Sequence, residues 1–222
     1  MAALALPAAF ALFACAELHP LPSDAIPTTF PPATLKIVDA EGFTVTAGER
    51  VEGPRGFLRI DAPTWRAVRK KSGDTAAVLS FRYRGSIGGD GPDISPQVGL
   101  SLRTDDACNG IFVVWTIAPE SRIEARLKRN PGKRTRWLCG DVGETSLGTA
   151  AAPTIEKDGL HNLAAFIVDE NLKVAADGKE VFSAPLPQTA AELDGPAGVL
   201  GDNGRFDVAL RAGDVQPPAN NP

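Results

Sequence analysis

Cysteine and histidine are scarce in this chain of 222 residues, which holds three of the first and two of the second. That leaves little room for a Cys/His metal cluster. There is no excess of positive charge either. The 27 acids outnumber the 23 bases, the net charge is −4, and a uniformly basic nucleic-acid binder is disfavoured. A sustained 3.6-residue apolar stripe is also missing, which excludes a coiled coil or a helical bundle. The N-terminal apolar run from Ala2 to Ala14, 13 residues long, is too short to cross a bilayer. Glycine (22) and proline (19), in contrast, are plentiful, as in turn-rich β proteins. With 43% hydrophobic and 23% charged residues the chain is globular rather than disordered.

The two ends read as additions to the fold. Residues 1–16 fit a secretory signal, although a charged n-region is lacking. Ala14-Cys15-Ala16 is an A-x-A-like cleavage site. Leu12-Phe13-Ala14-Cys15 resembles a lipobox, with Cys15 as the lipidated residue. The chain is therefore expected to be exported, as a periplasmic, outer-membrane or cell-surface lipoprotein. Residues 17–33, with five prolines (Pro20, Pro22, Pro27, Pro31 and Pro32), read as an extended tether. Residues 215–222 read as a disordered tail. Within the globular part, residues 34–214, Cys108 and Cys139 are an even pair in an exported chain, which predicts a disulfide. Two buried free thiols are the alternative.

The middle of the chain alternates with period two. Leu79, Phe81 and Tyr83 form one apolar phase; Val98, Leu100 and Leu102 a second; Ile123, Ala125 and Leu127 a third. Ile111 to Ile117 is apolar on both faces, as in a central strand. Thr64 to Lys71 is ambiguous between a short helix and a strand with Trp65 inward. Gly201-Asp202-Asn203-Gly204 reads as a hairpin turn. Ten or more short strands predict an all-β, antiparallel two-sheet β-sandwich in one domain.

Two segments carry a recognisable pattern. His161-Asn-Leu-Ala-Ala-Phe-Ile-Val-Asp-Glu-Asn-Leu-Lys-Val-Ala-Ala-Asp-Gly-Lys-Glu-Val-Phe resembles the paired hairpins of concanavalin A-like (LamG-like) jelly rolls. Gly195-Pro-Ala-Gly-Val-Leu-Gly-Asp-Asn-Gly-Arg-Phe-Asp-Val is similar to their closing strands. Val98 to Trp115, Lys128 to Gly132 and Cys139-Gly140 resemble exported bacterial members of that superfamily. The resemblance implies a fold shared by lectins, glycan hydrolases, lyases and adhesion modules, so activity has to be argued from sites.

The catalytic signatures of that superfamily are missing. The E-x-D-x-x-E strand of laminarinase-like members does not occur. Neither does the tyrosine-rich strand of alginate-lyase relatives, Tyr83 being the single tyrosine. His161 reads as a strand-end residue near a turn, and Glu124 and Asp141 are weak candidates for a carboxylate pair. No catalytic residue is assigned. Asp105, Asp106 and Asn109 form an oxygen-rich loop, with Asp90 and Asp93 in another, which makes Ca²⁺ a possible cofactor. Local Asx turns are the plainer reading. Gly88-Gly89-Asp90-Gly91 opens no helix and does not read as a phosphate cradle.

The charge is unevenly placed. Glu120 to Arg136 holds seven bases and two acids, so this stretch is +5 and the remainder −9. Parity aligns Arg122, Arg126 and Lys128 on one strand face, and Arg82, Arg84 and Arg103 also occupy non-core phases. If these strands share a sheet, they form one basic face. With Arg136, and with Trp137 and Trp115 as stacking surfaces, that face is expected to bind an anionic glycan or envelope polymer. The alternatives are a solvated sheet face, a glycan-active enzyme, and a structural subunit that docks on a protein partner in a surface assembly.

Overall fold

The computed structural model describes residues 24–53, 57–70, 73–88 and 95–216. The signal region, Cys15, Asp90 and Asp93 lie outside the described residues. Among the described residues, fifteen strands are arranged in two antiparallel sheets. The strands are β1 (Ala33–Val38), β2 (Phe43–Ala47), β3 (Val51–Glu52), β4 (Leu58–Asp61), β5 (Thr64–Arg69), β6 (Ala76–Ser86), β7 (Gln97–Asp106), β8 (Asn109–Thr116), β9 (Arg122–Lys128), β10 (Glu144–Ala151), β11 (Leu160–Val168), β12 (Asn171–Ala176), β13 (Lys179–Pro185), β14 (Gly195–Asp202) and β15 (Gly204–Val215). One short helix, α1 (Arg136–Cys139), follows β9. The first sheet has eight strands in the order β13-β12-β11-β6-β15-β4-β3, with β1 also paired to β15. The second has seven, in the order β10-β9-β8-β7-β14-β5-β2.

The inward phases of both sheets supply one core. Leu79, Phe81 and Leu210 face Leu100, Ile111, Trp115 and Leu127 across the sandwich, all essentially inaccessible. Aromatic edges lock its centre: Phe81 meets Trp115 in a T-shaped contact at 5.5 Å. Trp65 is buried, and Thr64–Arg69 is a strand rather than a helix. The β11-β12-β13 meander turns through Asp169-Glu170 and Asp177-Gly178, all four at positive φ.

Two expectations change. The Gly201–Gly204 turn does not make a hairpin: β14 lies in the seven-stranded sheet and β15 in the eight-stranded one, so this turn carries the chain between layers. Turn chemistry specifies the local bend, not which sheet receives the next strand. The second change is at the N-terminal side. Residues 24–32, expected in the tether, are packed on the outer face of the eight-stranded sheet. Phe30 is buried and meets Phe166 edge-on at 5.1 Å, over Ala76, Val78 and Ala164. Val215 and Gln216, expected in the tail, are tied down, Gln216 donating from its backbone N–H to the Pro32 carbonyl at 2.8 Å.

Candidate functional site

The β7–β8 turn and the segment after β9 border a half-open cavity of about 320 Å³. It is lined by Asp105, Asp106 and Asn109 on one side and by Arg129, Pro131, Gly132 and Arg134 on the other. Its walls are fastened by polar bonds. Asp106 Oδ1 accepts from the Cys108 backbone N–H at 2.7 Å and from Asn109 Nδ2 at 2.9 Å. Asn109 Oδ1 accepts from Arg129 Nη1 and the Asn130 backbone N–H, and its Nδ2 also donates to the Lys133 carbonyl. Asn109 is almost completely buried and bonded at both ends of its amide, so it is a structural clasp between the two loops.

The disulfide between Cys108 and Cys139, with Cα atoms 5.9 Å apart, closes the same region. Asn130 Nδ2 adds a bond to the Val142 carbonyl at 2.7 Å, and Lys128 Nζ donates to the Gly140 carbonyl. Arg129 Nη2 pairs with Glu192 at 2.6 Å. Arg134 is exposed and makes no ion pair among the described residues. Asp105 is held above the usual aspartate value of 3.8, first by burial and then by the charges of Asp194 and Asp106. The site therefore offers the Arg134 guanidinium and the Asp105 carboxyl on walls that are otherwise mostly cross-bonded, with Arg129 Nε buried and without a partner among the described residues.

Two of the loop oxygens expected as Ca²⁺ ligands are engaged by the protein itself. Such an ion takes six to eight oxygens, whereas Asp106 Oδ1 and Asn109 Oδ1 each already receive two protein hydrogen bonds. Two guanidinium groups also line the cavity. Among the described residues no group of three or more His, Cys, Asp or Glu is arranged to hold a metal.

The single basic face is not formed. Arg82 and Arg84 stand on the eight-stranded sheet, and Arg122, Arg126 and Lys128 on the seven-stranded one. Strand parity gives the face of a residue but not its sheet, because pairing is non-local. Most of these bases are already partnered. Arg84 holds Asp207 at 2.6 Å and Asp158 at 2.5 Å, and Arg82 donates to the Asp158 carbonyl. Arg103, at positive φ where β7 bends, donates to the Ala190 carbonyl. Arg126 and Lys128 both pair with Glu144, and Lys128 is buried. Arg122 is exposed and Arg136 opens α1.

Trp115 lies wholly in the core, its indole N–H bonded to Ser121, so it provides no stacking surface. Trp137 is 82% exposed. His161 is packed between Phe81 and Trp115, with Nδ1 bonded to Asp177 at 2.8 Å. Glu124 sits beside Arg126 on β9, Asp141 lies in the turn after α1, and neither lines the cavity. Of the predicted site residues, the structure brings together Asp105, Asp106 and Asn109. Arg129 and Arg134 were legible only as members of a basic run.

No protein-family model and no curated protein matches the chain. Solved structures do match. The carbohydrate-binding module CBM66 from Bacillus subtilis aligns over 75% of this chain and 91% of its own, with a TM-score of 0.56 and 14% identity. The VIP36 exoplasmic/lumenal domain in its Ca²⁺- and mannose-bound form aligns over 81% and 86%, at 0.54 and 12%. The Emp46p carbohydrate recognition domain in its metal-free form aligns over 80% and 90%, at 0.53 and 11%. The chain has the concanavalin A-like jelly-roll fold.

Proposed function

We propose that the domain is a carbohydrate-binding module and that the cavity beside the Cys108–Cys139 bridge is its saccharide site. The observation that carries this reading is a concave site with few, convergent polar groups. Asp105 accepts from sugar hydroxyls and Arg134 donates to them, or to a carboxylate on an anionic glycan. Asn109 and Asp106 hold both walls in place before the ligand arrives, which lowers the ordering cost of binding. Among the structural neighbours named above, one is a carbohydrate-binding module, one a carbohydrate recognition domain and one a mannose-bound domain, which favours this chemistry over others the fold supports.

The bridge favours an oxidising compartment, in keeping with export; mass spectrometry of the mature N-terminus tests cleavage and lipidation at Cys15. Docking on a protein through the seven-stranded sheet is less well supported. Val114 and Leu200 alternate out of the inter-sheet core, yet both are buried rather than displayed.

A glycan-array screen of the full chain, followed by titration of the best ligand, tests the site. Arg134→Ala and Asp105→Asn should each weaken binding about tenfold, the value of one charge-assisted hydrogen bond. Chelation with EDTA should leave binding unchanged. Full affinity in both variants would sink the assignment.

A further inference from the structure

The loop that ends the basic run presents its apolar side chains outward. Trp137 is 82% exposed, Val142 67% and Leu138 45%. The other exposed large hydrophobics among the described residues, Ile37, Val51 and Leu160, are 37–42% exposed and lie singly on three separate strands. The backbone beneath the trio is pinned at several points. Cys139 is bridged to Cys108, and the Leu138 N–H donates to the Thr135 carbonyl at 2.8 Å. The Val142 N–H donates to the Cys139 carbonyl, and the Val142 and Gly140 carbonyls accept from Asn130 and Lys128. The fold thus spends a disulfide and four hydrogen bonds on a loop that keeps a tryptophan in water.

The surroundings of this tip are cationic. Arg129 to Val142 holds four bases against one acid, the exposed Asp141, and Lys133 and Arg134 are exposed. A specific protein interface takes about 800 Å² from each partner, more than three side chains at these exposures present. An indole with one polar atom, two aliphatic neighbours and a basic rim instead match the boundary between headgroups and acyl chains of an anionic bilayer.

We propose that the Trp137–Leu138–Val142 tip inserts into the surface of a membrane rich in anionic phospholipid, with Lys133 and Arg134 against the headgroups. This contact shares Arg134 with the cavity, but its apolar anchor and Lys133 lie outside the cavity lining. The contact does not depend on lipidation at Cys15, because the anchoring atoms belong to the disulfide-held loop.

The protein carries its own probe. Of its three tryptophans, Trp65 and Trp115 are buried, so a change in emission on adding vesicles reports Trp137. The full chain is mixed with vesicles of phosphatidylcholine containing phosphatidylglycerol, and with vesicles of phosphatidylcholine alone. A blue shift and co-sedimentation with the anionic vesicles are expected, weaker by about tenfold on the neutral ones. Trp137→Ala/Val142→Ser should lose the shift and reduce sedimentation about tenfold, while Lys133→Glu should reduce it on anionic vesicles alone. The N-terminal apolar run is common to all these proteins, so the comparison isolates the tip. Because the altered side chains are exposed, thermal melts of the variants should match the parent. Unchanged emission with every vesicle, equal binding by parent and double variant, or a shift produced by a glycan ligand but not by vesicles would each overturn the proposal. Asp105→Asn keeps the tip intact, so its loss of glycan binding with vesicle binding retained separates the two readings.

Discussion

Asp74 and Asp105 are both held above the usual aspartate value, and burial is the first cause in each. Their surroundings make the two substitutions diverge. Asp74 sits in the core side of its loop, pairs with Arg69, and accepts the Ala197 backbone N–H at 3.1 Å. Burial outweighs both partners in setting the direction of its shift. Asp74→Ala leaves a mostly buried guanidinium and an unpaired N–H, and should cost about 2–3 kcal/mol in chemical denaturation.

Asp105 is exposed but partly desolvated by its loop, accepts the Gly195 N–H, and is opposed by Asp194 and Asp106. A carboxyl whose folded pKa is raised contributes stability below its unfolded value and loses that contribution as pH rises through the folded one. Asp105→Asn should therefore melt above the parent at neutral pH, with the difference vanishing below about pH 3. An equal melting temperature at neutral pH would contradict this. The same substitution should weaken saccharide binding, the pattern of a group kept for function at a cost in stability.

At the scale of elements, alternation in the sequence located the strands well where burial is one-sided. Leu79-Phe81-Tyr83, Val98-Leu100-Leu102 and Ile123-Ala125-Leu127 all fall in strands with those residues inward or packed against the core. Glu144–Ala151 gave no such signal: it is an edge strand of small and polar residues paired only to β9, with little apolar contrast between its faces. The packed segment before β1 was hidden by its prolines, which read as extension. Extension is compatible with packing when one residue, here Phe30, finds a second small cluster.

That segment passes very close to the β12–β13 turn. A side chain at Gly178, which has φ 75°, would collide with the Asp24 carbonyl. Gly178→Ala should lift residues 24–30 from the sheet, speed proteolysis there and lower stability about as much as losing the Phe30 contact does. Phe30→Ala, which empties one cluster rather than the core, should cost about 2–3 kcal/mol. If cutting before β1 is no faster in Gly178→Ala, the segment is not held at that turn. Reduction of the Cys108–Cys139 bridge, whose partners are 31 residues apart, should lower stability by about 3–4 kcal/mol in the chain-entropy description. Cleavage in the 129–142 loop should follow.

For the whole molecule, composition and alternation were enough for an antiparallel sandwich, but not for the distribution of strands between its layers. The arginines of β6 and β9 seemed to share a face because both occupy outward phases, yet their strands belong to different sheets. The oxygen-rich turn at Asp105–Asn109 was legible as a loop. Its opposite wall, contributed by Arg129 to Arg134, was not, since the two are brought together by the non-local β8–β9 pairing and the Asn109 hydrogen bonds.

The position of β15 has a further consequence. It is the last strand made, yet it is central in its sheet, bonded to β6 along one side and to β4 and β1 along the other. Its side chains Phe206, Val208 and Leu210 fill the middle of the core. A nascent chain that has emerged only as far as Asn203 lacks the strand that joins its two ends, so β1, 182 residues upstream of its partner in register (Ala33 with Val215), has nothing to pair with. A protein truncated after Asn203 should show no cooperative melt, and a cooperative one would refute the point. Assembly of this domain must therefore wait until synthesis has passed Val215. Under the export proposed above, that delay would leave the chain threadable until its last strand is made.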